Sequence, residues 1–167
     1  MSLLCISSNF DGIEIIDSFY AHGQIWFNEE IKEKILPMST ILDQAKIGTW
    51  VVIKSFNPQN GLTIKGIGYI YDNQNWSTYY IGMENTIQPI ARNVKWLWKG
   101  KKNIGKIDDK MDHMRTGIMY FELNQNVVEQ IFSLLDPIVE KIELWLLIGT
   151  SLALGSIKCE GKVTRLL

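Results

Sequence analysis

Cysteine and histidine are scarce in this chain, and their scarcity excludes several kinds of chemistry. The two cysteines, Cys5 and Cys159, stand at opposite ends and form no C-x-x-C. Neither a zinc ribbon nor a secreted disulfide scaffold fits that spacing. Both are read as reduced thiols of a cytosolic protein. The two histidines, His22 and His113, lie far apart, and no motif surrounds either. Exposed or hydrogen-bonded side chains are the plain reading of both. There is no G-x-S-x-G and no H-E-x-x-H. The nearest approach to a phosphate loop is SIKCEGKVT, where Ser156 replaces the first glycine and Val163 the final hydroxyl. KIDDKMD groups Asp108, Asp109 and Asp112, but Lys106 and Lys110 interleave. A solvated loop suits that pattern better than a cation site. The expectation is a protein without catalytic residues, metal or cofactor.

Long apolar runs and charge imbalance are lacking too. The longest uncharged stretch of the C-terminal region, LWLLIGTSLALGSI (Leu144 to Ile157), has fourteen residues. A spanning helix needs about 20, so a buried helix end, or a helix followed by a strand, is expected and not a membrane span. MSLLCISSNF has no basic segment ahead of a long apolar run and is read as a first strand, not a signal peptide. The net charge of −1 provides no global attraction to polyanions. Any polyanion site must be a local patch.

What remains is an ordinary globular composition, 46% hydrophobic and 21% charged over 167 residues. That length holds one domain with a core of its own. LLCISSNF and GIEII are β-like by their branched residues. NEEIKEKILPMSTILDQA has a helical period broken near Pro37, with Asn28 as N-cap and Glu29 and Glu30 in the first turn. GTWVVIKSF and LTIKGIGYIYDN flank the turn sequence NPQNG and predict a hairpin. Gly66 and Gly68 in its second strand predict a bulge or a close backbone approach. WSTYYIGM, ARNVKWLWKG and TGIMYFEL read as further strands. NQNVVEQIFSLLDPIVEK reads as a helix capped by Asn124 or Asn126 and ended or kinked near Pro137. The predicted class is α+β, with a strongly bent antiparallel sheet or small open barrel flanked by helices. Residues 1–136 form the expected domain and 137–167 an apolar extension packing on the domain or on a partner.

Six tryptophans stand out: Trp26, Trp50, Trp76, Trp96, Trp98 and Trp145. NVKWLWKGKKNIGK couples two of them to Lys95, Lys99, Lys101, Lys102 and Lys106. On a regular strand Trp96 and Trp98 share one face, and the lysines from Lys99 onward form a rim at the strand end. Indoles beside ammonium groups are what a nucleic acid needs, since a base stacks on an indole for roughly 1–3 kcal/mol. Strand aromatics are also the usual core residues, so both readings stay open on pattern alone.

The order of the pieces adds a resemblance. SSN, then HGQIWFNEE, then VVIKSFNPQNGLTIKGIG, then NVKWLW resembles the PUA-like superfamily of YTH and EVE domains. It also resembles the EVE-like N-terminal DNA-reading domains of McrB-type modification-dependent restriction proteins. The match covers about residues 4 to 135. It implies a pocket for a flipped, modified base, walled by Trp26 and Trp96, with Trp98 replacing Trp96 if the register shifts by two. Asn9, with Ser7 or Ser8, would lie near the base edge. The full expected base-contacting set is Trp26, Trp96, Trp98, Asn9, Ser8, Asn28 and Ser55. The expected phosphate contacts are Lys54, Lys65, Lys99, Lys101 and Lys102.

The leading expectation is a non-enzymatic reader of a modified, methylated base, in DNA rather than RNA. It would be the specificity part of a restriction or defence system with a nuclease or NTPase partner. The alternative is a protein-interaction module whose apolar C-terminus docks a partner or a second copy as a homo-oligomer. A third is a small-molecule pocket lined by the same tryptophans.

Overall fold

Alternating branched residues in three segments build the centre of the sheet. In the computed structural model, which describes residues 3–10, 12–27, 38–72, 90–107 and 112–137, β1 (Leu3–Ser7), β5 (Trp50–Asn57) and β6 (Gly61–Ile70) lie side by side. Between β1 and β5 come a two-stranded ribbon, β2 (Asn9–Phe10) with β3 (Ile13–Glu14), helix α1 (Ile16–His22), strand β4 (Gln24–Phe27) and helix α2 (Met38–Gln44). After β6 come the long strand β7 (Ile90–Gly105), α3 (Asp112–Arg115), β8 (Met119–Glu122) and α4 (Gln125–Phe132). The main sheet has the order β4-β7-β6-β5-β1-β8 and is strongly curled into a half-barrel. It is mixed, not antiparallel throughout, because β1 runs parallel to β5. A parallel neighbour requires a crossover, and the segment carrying α1, β4 and α2 supplies it.

The chain divides into units 1–131 and 132–167, against an expected division at 136. Of the second unit, 132–137 are described, with a 3₁₀ turn at Ser133–Leu135 before Pro137. WSTYYIGM, Asn28 with its helix start, and the apolar run after 137 lie outside the described residues.

GIEII departs from its β-like reading. Only Ile13–Glu14 is strand, and the chain turns helical from Ile16. Ile16, Phe19 and Tyr20 have the i, i+3, i+4 spacing of one helix face. Gly23 closes that helix in the left-handed region, at φ 60°, with its N–H bonded to the Phe19 carbonyl, the usual role of a glycine just past a helix. At the other end of the domain Asn124 is the cap of α4, its Oδ1 accepting from the N–H groups of Asn126 (3.0 Å) and Val127 (3.4 Å).

Each face of the sheet has its own core. One face carries Leu4, Ile6, Val51, Ile53, Ile70 and Val94, covered by Phe19 of α1 and Leu42 of α2. Arg92 ties α2 down, donating to the Leu42 carbonyl at 3.0 Å and to Asp43 at 3.3 Å. The opposite face holds the pairs Cys5 with Tyr120 and Cys5 with Val52. There a buried polar set sits among apolar neighbours. The Arg115 guanidinium donates to both carboxylate oxygens of Glu122 at 3.1 Å, with both side chains fully buried. The Lys54 ammonium donates to the carbonyls of Arg115 (2.6 Å) and Gly117 (2.5 Å), and burial pushes its pKa down to about 8.

Removing one member of a buried ion pair strands the other charge, at about 3–5 kcal/mol. Arg115→Met is expected to lower the unfolding free energy from urea titration by that much, and Arg115→Met with Glu122→Leu to recover most of it. A double variant no more stable than the single would show that the pair's hydrogen bonds, not the stranded carboxylate, set the cost. Burial also pushes the Cys5 thiol up to about 12, whereas an unfolded thiol ionises near 8.5. The folded chain thus keeps a proton that the unfolded chain loses, so this group's contribution falls as pH rises past about 9. The stability cost of Cys5→Ala is expected to shrink between pH 8 and pH 10 in paired urea titrations; a cost constant with pH would refute this.

Candidate nucleic-acid interface

Alternation along β7 would put Trp96 and Trp98 on one face, but the register does otherwise. Gly68 pairs with Trp96 and Ile67 with Trp98. One step on β6 answers two on β7, so Leu97 is an extra residue, a bulge. Gly68 and Ile67 point to opposite faces, and their partners therefore do too. Trp96 goes with Val51 and Ile53; Trp98 goes with Val52 and Cys5. A second bulge lies on β6, where Ile53 pairs with Gly66 and Lys54 with Ile64, leaving Lys65 extra. After both bulges, Trp96, Lys99, Lys101 and Asn103 share one face of β7, while Lys95, Trp98 and Lys102 share the other.

Tyr20 of α1 marks the first of these faces. Its ring meets Trp96 edge to face, with centroids 5.4 Å apart, and Lys99 Nζ lies 4.6 Å from its centroid. Its hydroxyl donates to the Lys65 carbonyl at 2.8 Å. Burial pushes its pKa up to about 12, so the phenol remains a donor. The Trp96 indole N–H donates to the Phe19 carbonyl at 3.1 Å. Gly66 permits this packing: a Cβ there would stand 2.5 Å from the Tyr20 hydroxyl oxygen and 3.2 Å from the Ile53 methyl. Both glycines of the expected pair mark a close approach, Gly66 by the Tyr20 ring and Gly68 by the Lys95 carbonyl of β7, 2.5 Å from where its Cβ would stand.

The pairing of β4 with β7 runs from Phe27–Ile90 to Gln24–Asn93 and ends with the Val94 N–H on the Gly23 carbonyl. Just beyond that end, Tyr69, Tyr71 and Trp96 line a depression of about 570 Å³ with Lys95 and Lys99. Because β4 has ended, side chains from both faces of β7 reach it. Tyr71 is half-exposed and Trp96 half-buried. Farther along β7, Ser55, Phe56, Asn60, Thr63, Lys101 and Asn103 line a second groove of about 860 Å³. Asn103 Nδ2 donates to Thr63 Oγ1 and to the Asn60 carbonyl, both at 3.0 Å.

The residues expected from sequence fall into three groups. Trp96, Lys99 and Lys101 come together on the Tyr20 face, and Ser55 joins Lys101 in the second groove. Trp26, Ser8 and Lys54 go inside. Trp26 is 9% exposed, edge-on to Phe19 at 6.0 Å, and belongs to the core cluster against which Trp96 packs. It lies in a strand, within that cluster. Ser8 is fully buried and accepts from Lys65 Nζ at 3.3 Å. Lys54 is 2% exposed and holds backbone carbonyls where a phosphate contact was expected. The rest stand apart. Lys65 forms an ion pair with Glu14. Asn9 is exposed and accepts from the Gly12 N–H at 3.1 Å as a turn residue. Trp98 and Lys102 lie on the opposite face. Tyr20, Tyr69, Tyr71, Thr63 and Asn103 were missed. The spacing of Ile16, Phe19 and Tyr20 was the available signal for the first.

Among the described residues no group of three or more His, Cys, Asp or Glu is placed to hold a metal ion, and no helix is long and apolar enough to cross a membrane. No protein-family model matches the chain, and no curated protein matches it.

Gly66→Ala should cost about 1–3 kcal/mol through overpacking, read from thermal or urea unfolding. Tyr20→Phe removes the oxygen nearest the new methyl and should restore a large part of that loss in the double variant. Strictly additive costs would mean that Gly66 serves another purpose than seating Tyr20.

Proposed function

We propose that this chain is a non-enzymatic nucleic-acid-binding domain that takes a base into the depression beside Trp96. One observation carries the reading: Tyr69, Tyr71 and Trp96 line a single depression with Lys95 and Lys99. Aromatic rings stack bases at roughly 1–3 kcal/mol each, and neighbouring ammonium groups take phosphates. The charge distribution supports it. Residues 90–107 carry Arg92, Lys95, Lys99, Lys101, Lys102 and Lys106 and no carboxylate, within a chain of net charge −1.

The finer reading is a PUA-like, EVE/YTH-like domain that selects a modified base. The motif order and the curled α+β half-barrel support it, with the aromatic wall at Trp96 and the tyrosines rather than at Trp26. A methyl group adds apolar surface worth on the order of 0.8 kcal/mol when buried, and flipping the base costs a few kcal/mol that the pocket offsets. DNA is preferred over RNA, and a nuclease or NTPase partner in a restriction or defence system is proposed, on the McrB-type resemblance alone.

The test is a titration of labelled oligonucleotides, plain or bearing N6-methyladenine, 5-methylcytosine or 5-hydroxymethylcytosine, at about 50 mM salt. Trp96→Ala should weaken binding by about 1–3 kcal/mol, whereas Trp26→Phe should alter stability and leave affinity alone. Equal affinity for modified and plain strands would remove the modified-base reading. No binding of any strand would remove the nucleic-acid reading itself and favour a protein-interaction module.

A further inference from the structure

The two depressions along β7 lie on one line. Trp96 sits at the first, Asn103 at the second, and the bulge at Leu97 brings Lys99 and Lys101 onto the face between them. A regular strand would have set Trp96 with Trp98, Gly100 and Lys102 instead. The second groove takes in Phe56, and its polar lining is hydroxyl and amide, from Ser55, Thr63, Asn60 and Asn103, with Lys101. Ser55 pairs with Thr63 and Thr63 with Asn103, so three adjacent strands present polar side chains in one row. Lys101 is exposed and stands beside no carboxylate in residues 90–107.

We propose that the Tyr20 face of β7 is a continuous track for single-stranded nucleic acid. One base stacks beside Trp96, successive phosphates lie on Lys99 and Lys101, and a later nucleotide offers sugar hydroxyl and base-edge groups to the Ser55–Thr63–Asn103 row. The inference rests on the nucleic-acid reading above and adds a second subsite, a strand state and a length. Through Gly68 and Thr63, Trp96 and Asn103 stand in line with Val51 and Ser55 of β5, four residues and roughly 13 Å apart along an extended strand. At about 3.4 Å per stacked nucleotide, the track holds roughly four nucleotides, or fewer if they are drawn out. A duplex would present two backbones to this narrow row and could place neither a stacked base nor a splayed base edge.

The experiment is fluorescence anisotropy with labelled oligothymidylates of 2, 4, 8 and 12 nucleotides and an 8-bp duplex control. Affinity should rise at least tenfold from the 2-mer to the 8-mer and level off by the 12-mer, with the duplex bound more weakly than the 8-mer. Lys101→Glu should weaken the 8-mer at least fivefold, lower the salt slope by about one and leave the 2-mer unaffected. Lys102→Glu, the same charge change one residue away but on the opposite face, should change the 8-mer less than twofold. Equal losses from the two variants would overturn the track, because only diffuse charge would then be at work. So would equal affinity for the 2-mer and 8-mer, which would leave the depression at Trp96 as the whole site. Failure of every oligonucleotide to bind the native protein would remove the nucleic-acid reading and the track with it.

Discussion

Everything at the candidate interface depends on two single-residue misfits between neighbouring strands. Side chains alternate along a strand, so one extra residue exchanges the two faces beyond it. Leu97 on β7 and Lys65 on β6 are those residues. Without the first, Trp96 and Lys99 could not both reach Tyr20, yet both contact its ring. These side-chain contacts and the strand register are independent observations, and they agree. The bulges also increase twist locally, in keeping with the strong curl of the sheet.

The helix that packs here is held by the same irregularity. The extra residue Lys65 presents its carbonyl to the Tyr20 hydroxyl and its ammonium to Glu14 and Ser8. A bulged residue lacks a regular ladder partner, which frees its polar groups for other contacts. α1 and the β2–β3 ribbon take them. Gly66, next to the bulge, leaves space for the tyrosine tip. One short stretch of β6, Ile64 to Gly68, thereby seats a helix, orients an indole and turns a lysine row over.

Elements with strong local chemistry were legible in the sequence. The hairpin around NPQNG, the strands at LLCIS and MYFE and the Asn124 cap all follow from turn, propensity and capping rules. The glycines at 66 and 68 signalled an irregularity at the right place. The direction of that irregularity was not legible, because it depends on which residue of a partner strand stands opposite. Reading Trp96 and Trp98 as one face therefore failed on register, not on composition. α1 was hidden by the branched run GIEII, whose β propensity is overridden once Ile16, Phe19 and Tyr20 bury a common helical face. The parallel pairing of β1 with β5 leaves no local trace at all. Lys54 failed as a surface cation for a similar reason. It sits in VVIKSF between buried neighbours, and its partners are carbonyls 61 and 63 residues away.

The near-zero net charge does not weigh against a polyanion site of this kind. Charges in salt act over about 8–10 Å, so a bound phosphate feels the cations beside it and little of the distant carboxylates. Lys99 and Lys101 are two residues apart on one face, roughly 7 Å along an extended strand, within that range of each other. Asp43 pairs with Arg92, and Asp72 accepts from Asn93 of β7; Glu14 is held in an ion pair with Lys65, and this pairing brings its pKa below the usual value despite partial burial. It remains an anion already matched by a cation. The lysines of β7 therefore set the local potential, and their division between two faces decides where a strand could run. Composition alone reports the sum of these charges; the register determines which of them a ligand meets together.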